Sequence, residues 1–376
     1  MYISWFKGDL KLNNNFKKFT PLNVSSKFAI CGIPLRVDTY KTCSFNCKYC
    51  FSNCRKIMEF EKNLQVANLS WLVKKMDKIH NKKIFNEESF LDTLLKEDIT
   101  WHCGGMSDPF QPIEEKLHIT KDMIDITNKY NTSILFSTKS DTVYGADIRP
   151  DLHTFQLSIT NLQDRKDLEP NVPSIESRIK FYKNLKEKGF KIGIRVQPFI
   201  PGITKTDIID VFKDADWFTI EGIKLVPQNK EHKEELLDIL KIDRNNFTQM
   251  GLLNLKPEIR LEIYKEFIDK LEMYNIPYSI ADNDLHYISK GKCCCGDTLV
   301  KKTTTFNNTY LLNTKGLNYT VEDVKDNLGN FSDCKACQLF TSNRTEGCKT
   351  VSEFYEKRFN RKSSPFSPKF QYYKEK

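Results

Sequence analysis

Between about residues 33 and 282, short apolar, β-rich runs alternate with stretches in which apolar residues recur every three or four positions. The runs predict strands at 35–38, 99–102, 133–137, 154–159, 191–199 and 218–226, with a seventh at 278–281. The intervening stretches predict helices near 57–80, 87–97, 119–130, 174–189, 205–214, 230–241 and 257–274. The last is the clearest. Ile263/Tyr264, Phe267/Ile268 and Leu271 repeat at helical spacing, and Pro257 stands where a first turn tolerates it. Strand–helix alternation of this kind predicts parallel βα units, and six or seven of them a complete or partial TIM-like barrel.

After Asp284 the pattern ends. Residues to about 350 are rich in Cys, Thr, Asn and Gly with little periodicity, and predict a loop-rich extension organised by something other than a large core. The division expected is an N-terminal extension (1–32), the barrel (33–284), a Cys-rich extension (285–350) and a tail (351–376). From Lys357 to Lys376 there are seven basic residues and one acid, Glu375, so this tail carries +6 of the chain's net +9. Phe359, Phe366, Phe370, Tyr372 and Tyr373 are interleaved with them. Such a tail is either a solvated end or a polyanion contact.

Of 376 residues, 39% are hydrophobic and 28% charged, which supports a real core and excludes disorder over the whole length. No run approaches the ~18–20 apolar residues of a membrane span, and the first residues lack a signal-peptide core. The expectation is a soluble, cytoplasmic protein with no membrane partner. Its twelve cysteines then point to metal or catalysis rather than to disulfides.

Cys43, Cys47 and Cys50 form C-x3-C-x2-C just after the first barrel strand. Three thiolates on one tight loop can hold three irons of a 4Fe-4S cube and leave the fourth open for chemistry. Cys54 could instead supply a fourth ligand to a structural centre. Gly104 and Gly105 end strand two, where absent side chains let backbone approach a ligand. Lys139 ends strand three, and Ser158 and Thr160 end strand four. A cation and hydroxyls at the carboxyl ends of barrel strands suit an anionic, hydrogen-bonding ligand.

These residues resemble the radical SAM superfamily, whose hallmark is that cysteine spacing after strand one. VDTYKTCSFNCKYCFS, GGMSDPFQPIE (104–114), FSTKS (136–140), LSIT (157–160), LEPNVPSIESR (168–178) and RVQPFIPGIT (195–204) follow in order. Their succession resembles the spore photoproduct lyase-like, or DNA repair photolyase-like, group over about residues 33–225. The resemblance implies a partial (β/α)6 barrel of the radical SAM kind. It implies a 4Fe-4S cluster on Cys43, Cys47 and Cys50 whose open iron chelates S-adenosylmethionine, and reductive cleavage of that cofactor to a 5′-deoxyadenosyl radical.

It also implies that Tyr49 packs on the adenine and that Gly104, Gly105, Ser107, Lys139, Ser158, Thr160 and Arg178 surround the cofactor. The group's Gly-Gly-Glu reads Gly-Gly-Met here, so the backbone role transfers and a carboxylate role does not. Arg178 either reaches the cofactor or pairs with Glu169 to fix the loop after strand four. Gln197, Pro198, Leu225 and Val226 lie where the group's adenine pocket falls. Cys103 stands near the position of a hydrogen-atom donor, although a regular strand turns His102 and Cys103 to opposite faces; a buried inert thiol is the alternative.

Cys334, Cys337 and Cys348, completed by Cys294 or Cys295, can assemble four thiolates for a second 4Fe-4S cluster or a zinc ion. Two functions follow. One is hydrogen abstraction from a DNA or RNA base, in repair or modification. The other is modification of a peptide, protein or small metabolite aided by the auxiliary cluster. Either requires an electron donor such as flavodoxin or ferredoxin.

Overall fold

The computed structural model describes residues 16–25, 31–52, 64–226, 230–250, 252–282, 284–305, 314–315 and 323. Its thirteen strands among these residues are β1 (Lys17–Phe19), β2 (Leu22–Val24), β3 (Leu35–Val37), β4 (Gln65–Ala67), β5 (Trp101–Cys103), β6 (Ile134–Thr138) and β7 (His153–Ser158). They continue as β8 (Ile192–Phe199), β9 (Trp217–Gly222), β10 (Lys224–Leu225), β11 (Phe247–Met250), β12 (Leu252–Leu255) and β13 (Tyr278–Ile280). One eight-stranded sheet has the order β13-β9-β8-β7-β6-β5-β3-β2, and no pairing joins its ends among the described residues. Every pair in it is parallel except β2 with β3. Each parallel strand lies beside its predecessor in the barrel series, as expected for consecutive right-handed βα units. The seventh predicted strand is present as β13.

Alternation along the strands separates two environments. Leu35, Val37, Trp101, Cys103, Ile134, Phe136, Phe155, Leu157, Ile192, Ile194, Phe218 and Ile280 belong to one apolar core with the helices. Phe110, Phe136 and Phe155 stack through it, with neighbouring centroids 5.2 and 5.5 Å apart. Arg36, His102, Ser137, Gln156, Arg195, Thr219 and Ser279 occupy the alternate positions and so face the concave side. The helices start where capping chemistry puts them. Asn68 accepts from the Trp71 amide, Ser89 from Asp92 and Ser174 from Ser177, and Pro257 opens the helix Pro257–Met273.

The helix expected over 57–80 is shorter. Residues 53–63 lie outside the described part. Gln65–Ala67 is a strand paired with β1, and the α-helix is Leu69–Met76. The reason is tertiary: Leu64 and Val66 bury against Tyr40 and Ile113, alternate positions that a strand satisfies and a helix does not.

Residues 291–305 do not stand apart from the barrel. Ser279 Oγ donates to the Cys293 carbonyl at 2.9 Å, Thr219 Oγ1 to that of Cys294 at 3.2 Å and Gln156 Nε2 to that of Cys295 at 2.9 Å. Thr154 Oγ1 donates to the Leu299 carbonyl, and the Thr304 amide to Gly32. The segment thus lines the concave face from β13 across to the β3 side, and Trp217, Leu135, Ile33 and Cys31 pack on it.

Candidate functional site

The C-x3-C-x2-C loop leaves the carboxyl end of β3, and the other motifs hold it there. Gln111, fully buried, grips the backbone on both sides of Cys43: its Nε2 donates to the Thr42 carbonyl at 2.9 Å and its Oε1 accepts from the Ser44 amide at 2.7 Å. Asn171 Nδ2 donates to the Ser44 carbonyl, and the Lys48 amide donates to the Leu168 carbonyl. Phe45, Cys47 and Tyr49 bury beside Leu168, Val172 and Ile200, with Cys43 and Cys50 packed at the edge. The segments DPFQPIE and LEPNVPS are therefore braces for the cysteine loop. Gln111→Ala removes two hydrogen bonds from buried and half-buried backbone groups and is expected to lower stability by about 2–6 kcal/mol, at ~1–3 per orphaned group. Thermal melting together with iron bound after reconstitution checks this; a variant with wild-type iron and wild-type melting contradicts it.

The donor set fits a cluster. The amides of Asp108 and Phe45 both point hydrogen bonds at the Cys43 sulfur, the arrangement that favours a thiolate. Burial itself pushes the Cys43 and Cys47 thiols upward, and Lys139 pulls Cys47 the other way. Thr42 Oγ1 and Ser44 Oγ, on either side of Cys43, are buried with no partner among the described residues. No three His, Cys, Asp or Glu side chains there converge as on a single metal ion. A cube takes each thiolate on a separate iron, so its ligands need not meet at a point.

Next to the loop is a buried charge cluster centred on Glu169. Its carboxylate accepts from Lys139 Nζ at 2.9 Å, from Arg178 Nη2 at 3.4 Å and from the Tyr49 hydroxyl. Tyr49 OH also lies 3.3 Å from Thr160 Oγ1, and Lys139 Nζ is 5.4 Å from the Tyr49 ring centre. Burial alone would raise the carboxyl of Glu169; the Lys139 and Arg178 charges and the Tyr49 hydroxyl outweigh it and hold it at about 2. Arg178 donates as well to the Ser158 carbonyl at 3.0 Å, and its buried Nε has no partner among the described residues. The Arg178–Glu169 pair thus exists, and it draws in Tyr49, Lys139 and Thr160.

Asp108 ties β6 to the same region. It accepts from Thr138 Oγ1 and the Lys139 amide, both at 2.7 Å, and burial raises its carboxyl to about 6. Ser107 Oγ is committed to the Tyr40 carbonyl at 2.7 Å. Gly104 has φ +99°, and a Cβ there would stand 2.1 Å from the Ser137 carbonyl oxygen, so only glycine fits. Gly105 abuts the Arg36 guanidinium, 3.2 Å from where its Cβ would lie.

Cys103 is fully buried on the helix-facing side of β5, among the apolar core. A hydrogen donor must share a space with the substrate, and on this strand the concave face belongs to His102. Cys294 is half-buried between the buried Cys293 and Cys295, on the concave face, while Cys334, Cys337 and Cys348 lie outside the described residues. Sequence reasoning left Cys31 unplaced; it joins Cys293 and Cys295 in one cluster. It also missed Arg36, His102, Gln156 and Arg195. The available signal was a polar residue at every second position of an otherwise apolar strand.

No protein-family model matches the chain. An uncharacterized protein of Methanocaldococcus jannaschii is 31% identical over 191 residues, which cover 48% of this chain and 64% of that protein. The chain thus spans less than two thirds of that relative. Spore photoproduct lyase complexed with dinucleoside spore photoproduct superposes with a TM-score of 0.52 over 69% of this chain and 78% of that one, at 16% identity. A mutant of the lyase with bound AdoMet and the same dinucleoside gives 0.51 over 69% and 80%, at 15% identity. The chain is a mixed α/β protein built on a large parallel sheet. Its fold is that of spore photoproduct lyase, the fold that the radical SAM resemblance of the sequence implies. Among the described residues, no helix is long and apolar enough to cross a membrane.

Proposed function

We propose that the chain is a radical SAM enzyme acting on a nucleic-acid base. The observation that carries the reading is the braced C-x3-C-x2-C loop at the carboxyl end of β3, with two backbone amides aimed at Cys43. Cys43, Cys47 and Cys50 would hold the 4Fe-4S cluster, and the Gly104–Gly105 turn, Tyr49, Lys139, Ser158, Thr160 and Arg178 would surround S-adenosylmethionine. When bound, the pair supplies one-electron cleavage of the sulfonium and a carbon radical that abstracts hydrogen. The chain's own part is positioning and exclusion of water. Gln111 and Asn171 hold the loop, Glu169 fixes Tyr49 and Lys139, and the segment 291–305 lines part of the concave face.

The nucleic-acid substrate is supported by the fold shared with the lyase, whose structure is complexed with a dinucleoside photoproduct, and by the basic, aromatic tail. Cys294 and Cys295 remain candidates for a second cluster or zinc site with Cys334, Cys337 and Cys348, and a flavodoxin or ferredoxin would supply the electron. The test is 5′-deoxyadenosine formation by the reduced, reconstituted protein with single-stranded DNA, RNA or a peptide pool. Stimulation by nucleic acid that falls steeply between about 50 and 200 mM salt is expected. Stimulation by peptide alone would transfer the substrate assignment to the peptide class.

A further inference from the structure

One hydrogen-bonded belt crosses the concave face from β3 to β8. Arg36 Nη1 donates to His102 Nδ1, so the imidazole carries its proton on Nε2 and donates to Ser137 Oγ at 2.8 Å. Ser137 Oγ donates to Gln156 Oε1 at 3.2 Å, and that oxygen also accepts from Arg195 Nη1 at 3.1 Å. The Gln156 amide is satisfied by Thr219 Oγ1 at 3.0 Å and the Cys295 carbonyl at 2.9 Å.

The two ends of the belt differ in charge. At the Arg195 end Glu221 Oε2 lies 3.5 Å from the guanidinium, and Lys224 completes the cluster. At the Arg36 end the partners are a neutral imidazole and the Cys31 sulfur, 4.0 Å away. No carboxylate among the described residues lies within 4.0 Å of Arg36. Asp38, the carboxyl whose charge reaches it, is occupied by the Met106 amide at 3.3 Å and pushed above the ordinary range by burial. Burial works against its charge, the Cys31, Cys295 and Cys294 sulfurs and then Asp38 favour it, and the half-buried fork packs beside the Gly104–Gly105 turn, 3.2 Å from where a Gly105 Cβ would lie.

We propose that Arg36, oriented by His102, receives a phosphate group of the substrate on the concave face, with Arg195 at the far end of the same belt. The inference rests on the nucleic-acid reading above. A planar fork matches two oxygens of one phosphate, and a phosphodiester is the anion that every nucleic-acid substrate carries. Its binding would give the fork the paired anionic oxygens that no neighbouring carboxylate among the described residues supplies.

The test uses the reconstituted full-length protein and two ligands, thymidylyl-thymidine and the same dinucleotide with a neutral methylphosphonate linkage. Calorimetry at low salt is expected to give at least about tenfold tighter binding of the charged ligand by wild type, the size of one charge-assisted hydrogen bond. Arg36→Gln should bind both ligands alike, and Arg36→Lys, which keeps the charge and loses the fork, should fall between. Equal binding of the two ligands by wild type overturns the phosphate site and leaves the nucleic-acid reading standing. So does a folded Arg36→Gln protein that keeps the charged-ligand preference. Binding of neither ligand by a normally folded wild type overturns the site and that reading together. The wild-type comparison decides even where a variant fails to fold.

Discussion

Cys47→Ala is expected to abolish 5′-deoxyadenosine formation in a chain that still folds. Cys47 is buried beside Phe45, Leu168, Val172 and Ile200, so alanine removes one sulfur's worth of packing, about 1 kcal/mol. The braces on the loop do not involve its side chain: Gln111 and Asn171 grip backbone at Thr42 and Ser44. A cube held by three thiolates loses one of three protein ligands, so iron after anaerobic reconstitution should fall by about four per chain. Cofactor cleavage should fall to the level of the protein-free control. The residual iron also reports on the remaining cysteines. A wild-type value near eight that drops to about four marks a second cluster; a value near four that drops to about zero leaves Cys294, Cys295, Cys334, Cys337 and Cys348 to zinc or to no metal. Unchanged cleavage in Cys47→Ala would remove the cluster assignment, whatever the iron content.

The barrel was legible because its strands obey a local rule. Runs such as Ile134–Thr138 and Ile192–Phe199 are short, apolar and bounded by turns, and pairing between sequence neighbours needs no long-range information. The cysteine loop was legible for the same reason, since its three ligands lie within eight residues. What escaped has its partners far apart. Gln111 acts on Thr42 and Ser44, Glu169 on Tyr49 and Lys139, and the concave belt links five strands with one side chain from each. Each is a polar residue in an apolar setting that becomes intelligible only when sheet order sets its neighbours. Val66 shows the converse error: apolar residues near a helical run read as helix until the packing against Tyr40 is known.

Glu169 should be the residue whose removal costs the fold most within the site. Lys139 and Arg178 are largely withdrawn from water, with side chains 13% and 3% exposed, and both neutralise on the one carboxylate. Glu169→Ala leaves two buried cations without an anion and is expected to destabilise by about 3–5 kcal/mol. Glu169→Gln keeps the shape and isolates the charge. In the folded chain the carboxyl is held at about 2 against an ordinary value of 4.5, because the two cations and the Tyr49 hydroxyl outweigh the effect of burial. A depressed carboxyl contributes stability that is fully present above about pH 4.5 and is lost as pH falls toward 2. At ~1.4 kcal/mol per unit, that contribution is about 3 kcal/mol. The gap in unfolding free energy between wild type and Glu169→Gln should therefore be widest at neutral pH and close on acidification through that window. Tyr49 and Lys139 lose their common anchor in the same variant, so binding of S-adenosylmethionine should weaken at neutral pH, where the fold is still intact. A gap that stays constant from pH 7 to 3 would mean that shape rather than charge makes Glu169 the hub, and the acid dependence would then belong to another carboxylate.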